Sequence, residues 1–205
     1  MTTFRMTPTT SAKRELITGG DPDARYAIPE EGQFWDGEHG AWLDFLPDAH
    51  LDKIGAALIS RKLTNLDDGE LTVDYRWKRR GGSSKGNANL GNCVRLTGAA
   101  KMYSQSTKVL VTLSADHLET QRYKNWQVEA LIYHELLKVC PEDRWSKPDK
   151  LTGKLTKLPT IYHVQGPDFS GFYKEIEEYG LWHEPLAKLA EIIQPGLPGF
   201  AESYK

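Results

Sequence analysis

The chain has 205 residues, with 26 Lys plus Arg against 28 Asp plus Glu, a formal net charge of −2, six His and two Cys. With 39% apolar and 26% charged residues it can build a core, which excludes wholesale disorder. No run approaches the roughly 20 consecutive apolar residues that cross a bilayer, and the first residues lack the apolar block of a secretion signal. A soluble protein of the cytoplasm, with no membrane partner, is therefore expected. Cys93 and Cys140 form no C-x-x-C pair, so neither a disulfide scaffold nor a cysteine-built zinc site is expected, and any metal falls to His and carboxylate.

Residues Met1 to Pro29 are rich in Thr, Pro, Gly and Asp and read as a flexible N-terminal arm, leaving a single domain over 30–194 and a Pro/Gly-rich tail over 195–205. Phe34, Trp35, Trp42 and Phe45 sit among Gly and Asp, a composition suited to capping the domain or meeting a partner. Asp48 is placed to cap a helix running to about Leu63, with Leu51, Ile54, Ala57 and Leu58 on one face. After the turn at Asn65 to Gly69, the alternation of Leu71, Val73, Tyr75 and Trp77 with polar residues predicts a strand. A Gly-rich loop from Arg79 to about Asn92 follows, then a second strand from Lys108 to Leu113. Ser114 or Asp116 opens helical sequence and Asn125 restarts it. The run from Trp126 to Val139 contains no Gly or Pro and stops before Pro141. Asp143 to Lys157 reads as a loop or hairpin tip, and Thr160 to Val164 as a third strand. Asp168 caps a further helix carrying Phe169, Phe172, Tyr173, Ile176 and Tyr179, which Gly180 stops, and Glu184-Pro185 starts the last one. The fold class is α+β: a small antiparallel or mixed sheet of about three strands, packed against the helix from Asp48, the helix ending near Val139 and two C-terminal helices.

The most informative stretch is His134-Glu135-Leu136-Leu137-Lys138. In a His-Glu-x-x-His segment, helical spacing presents two imidazoles to one zinc ion while the Glu holds the attacking water. Here Lys138 stands where the second imidazole would be. With this motif, the strand bearing Trp77, the segment Gly81 to Gly91, the strand Val109 to Leu113 and the phrase Tyr179-Gly180-Leu181-Trp182, the chain resembles the phage metallopeptidase family. That group is zincin-like and related in layout to the SprT-like proteases, and the resemblance runs over roughly Leu71 to Trp182. It implies zinc as the cofactor of a working site, Glu135 as the general base, and a third metal ligand at His163 or Asp168 beside His134.

A lysine binds a metal only after losing its proton, which a pKa of about 10.4 makes costly at neutral pH. Its ammonium repels a dication but can replace one electrostatically, satisfying Glu135 and an acid such as Asp168. The expectation is therefore a metal-free, catalytically degenerate protein that binds an unidentified host or phage protein. An active zinc peptidase, with His134 and two of His163, Asp168, Glu142 or His183 as ligands, is the alternative. A third reading takes Arg76, Lys78, Arg79, Arg80 and Lys85, beside the Gly/Ser loop, as contacts to nucleic acid. Each has a plain counterpart: a lone His on an apolar helix is commonly a core histidine, and a basic strand end is commonly a solvated one. His117, Asp143 and the two Cys need no special explanation.

Overall fold

A computed structural model of the chain describes residues 15–84, 87–98, 108–149 and 152–166, and beyond them 174–176, 178–180 and 182. Its contacts divide into two units, 1–164 and 165–205. No helix among the described residues is long and apolar enough to cross a membrane.

In the first unit, Trp35–Asp36 (β1) and Ala41–Trp42 (β2) form a small hairpin, followed by Phe45–Pro47 (β3) and the helix Ala49–Arg61 (α1). Asp48 does two jobs at the start of α1. One carboxylate oxygen accepts the backbone N–H of His50 at 2.7 Å, capping the helix, and the other accepts the indole N–H of Trp77 at 2.8 Å. Trp77 is fully buried, so without Asp48 its donor would be stranded in the core. Helix α1 turns Leu51, Ile54 and Leu58 inward onto Val73–Lys78 (β4), whose Tyr75 and Trp77 face it as the alternation predicts. The approach is close at Gly55, where a Cβ would lie 2.1 Å from the Tyr75 ring.

Strand β4 leads through the short hairpin of Ser83–Ser84 (β5) and Asn87–Ala88 (β6) to Gly91–Arg95 (β7), and the chain returns as Val109–Ser114 (β8). The sheet has four strands in the order β3-β4-β8-β7. Its central pair is parallel, from Val73 opposite Val109 to Lys78 opposite Ser114, and both outer strands run antiparallel to their neighbours. Parallel strands are covered on both faces, and β8 is buried along most of its length, which explains its near-continuous apolar sequence.

Helix Ala115–Thr120 (α2) and helix Asn125–Leu137 (α3) follow. Helix α3 packs against β7, β8 and α1, burying Val128, Ala130, Leu131, Ile132, Tyr133 and Leu136. It ends two residues short of the predicted Val139, because Val139 and Cys140 pair as strand with Val164 and His163. Val139–Trp145 (β9) and Lys157–Val164 (β10) form a separate antiparallel ribbon, with an irregularity between Leu158 and Ile161. The predicted third strand therefore lies in this ribbon and not in the main sheet.

Residues 15–29, read from the sequence as part of a flexible arm, are laid along the first unit. The backbone N–H of Ile17 donates to the buried Glu129 carboxylate at 2.8 Å, that of Tyr26 to the carbonyl of Tyr123 at 3.0 Å, and the Tyr26 and Ile28 side chains are buried. In the second unit, residues 174–176 and 178–179 are helical, and Gly180, at φ 69°, donates its N–H to the carbonyl of Ile176 at 2.9 Å, the predicted stop. The indole N–H of Trp182 donates to Glu175. Asp168 and the predicted last helix lie outside the described residues.

Replacing Asp48 by Ala removes the cap and orphans the Trp77 indole, so a loss of about 2–3 kcal/mol is expected in urea unfolding. Asp48→Asn, which keeps one acceptor oxygen, should lose roughly half as much.

Candidate functional site

Helix α3 is apolar on nearly every side that touches the sheet, and Glu135 interrupts that surface. Its side chain points at β7 and packs tightly on a glycine: a Cβ on Gly91 would lie 3.0 Å from Glu135 Oε1 and 3.1 Å from its Cγ, so the carboxylate would have to give by a few tenths of an ångström. The residue is 2% exposed. A carboxylate in that position is tolerable only with a partner, because an unpaired buried charge costs several kcal/mol. Lys138 supplies the partner from the C-cap of the same helix. Its Nζ donates to both carboxylate oxygens at 2.7 Å, with the lysine side chain 18% exposed. A cation at a helix C-terminus is favoured further by the helix dipole.

Cys93, on β7, is buried beside this pair. Burial pushes its thiol up to about 12, the Glu135 charge adds to the rise, and Lys138 pulls against it. The thiol is therefore protonated at neutral pH and is not a nucleophile. Gly91 and Cys93 were not recognisable as parts of a site from sequence, because β7 lacks the alternation that would have marked it as a strand over the motif helix.

The other candidate residues fall in separate places. His134 is half-buried on α3. His163, opposite Cys140 in the ribbon, is exposed and has its Nε2 2.6 Å from Glu142 Oε2. Asp143 pairs with Lys157 at 2.9 Å, and His117 Nε2 lies 3.2 Å from the carbonyl of Gly82. Asp168, His183 and Lys85 lie outside the described residues. Among the described residues no three of His, Cys, Asp and Glu are grouped so that they could hold a metal ion. With an ammonium bound across both oxygens of Glu135, the described donors do not fit the zinc centre that a His-Glu-x-x-His helix builds.

The basic run is largely spoken for within the fold. Arg76 Nε donates to Asp74 at 2.8 Å, and Arg80 donates to Glu31 at 3.1 Å. Arg79 stands 3.9 Å from the same Glu31 carboxylate and 4.9 Å from the ring centroid of Trp42. The loop beside them is tethered as well, since the N–H of Gly81 donates to Asp116 at 2.8 Å. Arg76 thus faces Asp74, and Arg79 and Arg80 share the one Glu31 carboxylate.

The family model for putative phage metallopeptidases matches residues 43–194, from just before β3 and through the whole of α3. No curated protein and no solved structure matches the chain.

Two measurements check this geometry. Lys138→Met leaves the Glu135 carboxylate buried without a cation and should cost about 3 kcal/mol or more at neutral pH, whereas Glu135→Leu combined with Lys138→Met should recover most of that loss in urea unfolding. In the native protein at pH 8, a thiol reagent should modify Cys140, which is half-buried, and spare Cys93 until the chain is unfolded. Cys140→Ser should then leave the folded protein unreactive.

Proposed function

The chain belongs to the putative phage metallopeptidase family, and from that premise we propose that it is a degenerate member, from a phage or prophage, that acts by binding a host or phage macromolecule. The observation that carries the reading is the contact of Lys138 Nζ with both oxygens of Glu135 at 2.7 Å. The family chemistry asks two things of this helix: a second imidazole one turn after His134, and a Glu whose carboxylate is free to take a proton from water. Lys138 replaces the first and occupies the second. An ammonium in this position gives the scaffold the positive charge that a metal would otherwise supply, so the buried carboxylate is kept and the fold with it. Zinc, the metal the family implies, would have to displace that ammonium and find donors from outside the described residues.

What remains after catalysis is a shaped surface on a stable scaffold. Function then has to come from recognition, and the intramolecular pairing of Arg76, Arg79 and Arg80 favours a protein partner over nucleic acid.

Elemental analysis of the purified chain and of Lys138→His tests the proposal. The unmodified chain is expected to hold far less than one zinc per molecule and to cleave no protein substrate, and Lys138→His to gain zinc. Stoichiometric zinc in the unmodified chain, with cleavage lost in Glu135→Gln, would establish the active peptidase instead.

A further inference from the structure

Strand β7 carries Gly91, Cys93 and Arg95 on one face, because alternate residues of a strand point the same way. The first two lie at the Glu135–Lys138 pair. The third leads, about 7 Å further along the strand from Cys93, into a cleft of about 470 Å³ between the end of β7, the start of β8 and the ribbon. Three cations reach this cleft from three elements: Arg95 from β7, Lys108 from the residue before β8, and Arg144 from β9.

Their engagements differ. Lys108 has its Nζ 3.8 Å from Glu70 and 5.0 Å from the ring centroid of Tyr162, so its charge is partly used. Arg95 and Arg144 are exposed and make no ion pair among the described residues. The acids nearby are already committed. Glu70 accepts the N–H of Thr160 at 2.9 Å, Glu142 holds His163, and Asp143 holds Lys157. Asp68 accepts the Tyr162 hydroxyl; burial works against its charge, yet that bond and the N–H groups of Glu70 and Leu71 hold its carboxyl below the usual range. Among the described residues, the charged side chains that line the cleft are Arg95, Lys108 and Arg144, with no acid in its wall, on a chain whose overall charge is −2.

We propose that this cleft binds a carboxylate of an acidic peptide segment from the partner, with Arg95 and Arg144 as the two guanidinium forks that receive it. The inference rests on the reading of the chain as a binding protein and names the chemistry of its partner. A guanidinium matches a carboxylate with two parallel hydrogen bonds, and two forks facing one concavity select an acid over a neutral side chain. Leu96, Pro159 and Ile161 contribute apolar wall, which suits a peptide backbone and its side chains. Nucleic acid is the poorer fit. Among the described residues the one aromatic ring lining the cleft, Tyr162, is buried with its hydroxyl bound to Asp68, and so is not placed to stack on a base.

The test is fluorescence anisotropy of the full chain with fluorescein-labelled hexaglutamate, at physiological salt. Saturable binding is expected, weakened about tenfold or more in Arg95→Ala/Arg144→Ala. Arg95→Lys/Arg144→Lys, which keeps the charge and loses the forks, should fall between the two. Arg80→Ala, an exposed cation elsewhere on the molecule, should leave binding unchanged. Both arginines are exposed, and unchanged thermal unfolding of the variants verifies that the fold is intact. Absence of saturable binding overturns the proposal, as does equal weakening by Arg80→Ala, which would mark non-specific charge attraction. An oligothymidylate that binds as tightly and is lost in the same double variant would assign the cleft to nucleic acid and overturn the peptide reading. Zinc content is measured separately, so a metal-loaded chain would refute the degenerate-enzyme reading without altering this titration.

Discussion

A carboxylate held out of water has to be answered by a positive charge, and in this protein Glu135 sets that condition for everything around it. Helix α3 cannot rotate to expose the group without withdrawing the apolar residues that join it to β7, β8 and α1. Strand β7 carries glycine opposite it, where a Cβ would crowd the carboxylate. Within the helix, Lys138 meets the condition from three residues further on, at the end where a cation is also favoured by the backbone dipole. The charge requirement of the buried carboxylate is thereby met by one side chain of the same helix.

Much of the framework was legible because its signals are local. Asp48 as a cap, the alternation of Tyr75 and Trp77, the apolar run of β8 and the Gly180 stop are each read within a few residues, and the structure has each where the sequence places it. The motif was legible too, since His134, Glu135 and Lys138 are neighbours in one helix. What was not legible is non-local. Strand β3 is three residues long and contains a proline, and Gly91-Asn92-Cys93-Val94-Arg95 has no period; each is a strand because a neighbour offers a ladder. Val139 and Cys140 continue the helical pattern in sequence yet pair with β10, a case of tertiary pairing overriding local preference. The segment from Ile17 to Ile28 lacks periodicity and is nevertheless held, through backbone bonds to Glu129 and Tyr123 that no composition would announce.

The same distinction applies to the charges. The sequence shows Arg76, Arg79 and Arg80 as a cluster, but folding brings Asp74 and Glu31 to them. Arg95, Lys108 and Arg144 are scattered along the chain and meet at one cleft. Clustering in sequence and clustering in space differ here because strands separate neighbours and join distant residues.

The path of the chain between the two central strands has a further consequence. Parallel neighbours cannot be joined by a tight turn, so β4 and β8 require a long crossover, and β5, β6 and β7 all lie within it. The strand that bears Gly91, Cys93 and Arg95 is therefore part of a connection, docked on the edge of a sheet whose central ladder closes without it. Gly91 and Cys93 pack this connection onto the motif helix, while Arg95, at its far end, is exposed. Exposed positions of β7 such as Asn92, Val94 and Arg95 can therefore be substituted without disturbing the β4–β8 ladder, whose paired valines and leucines lie on other strands.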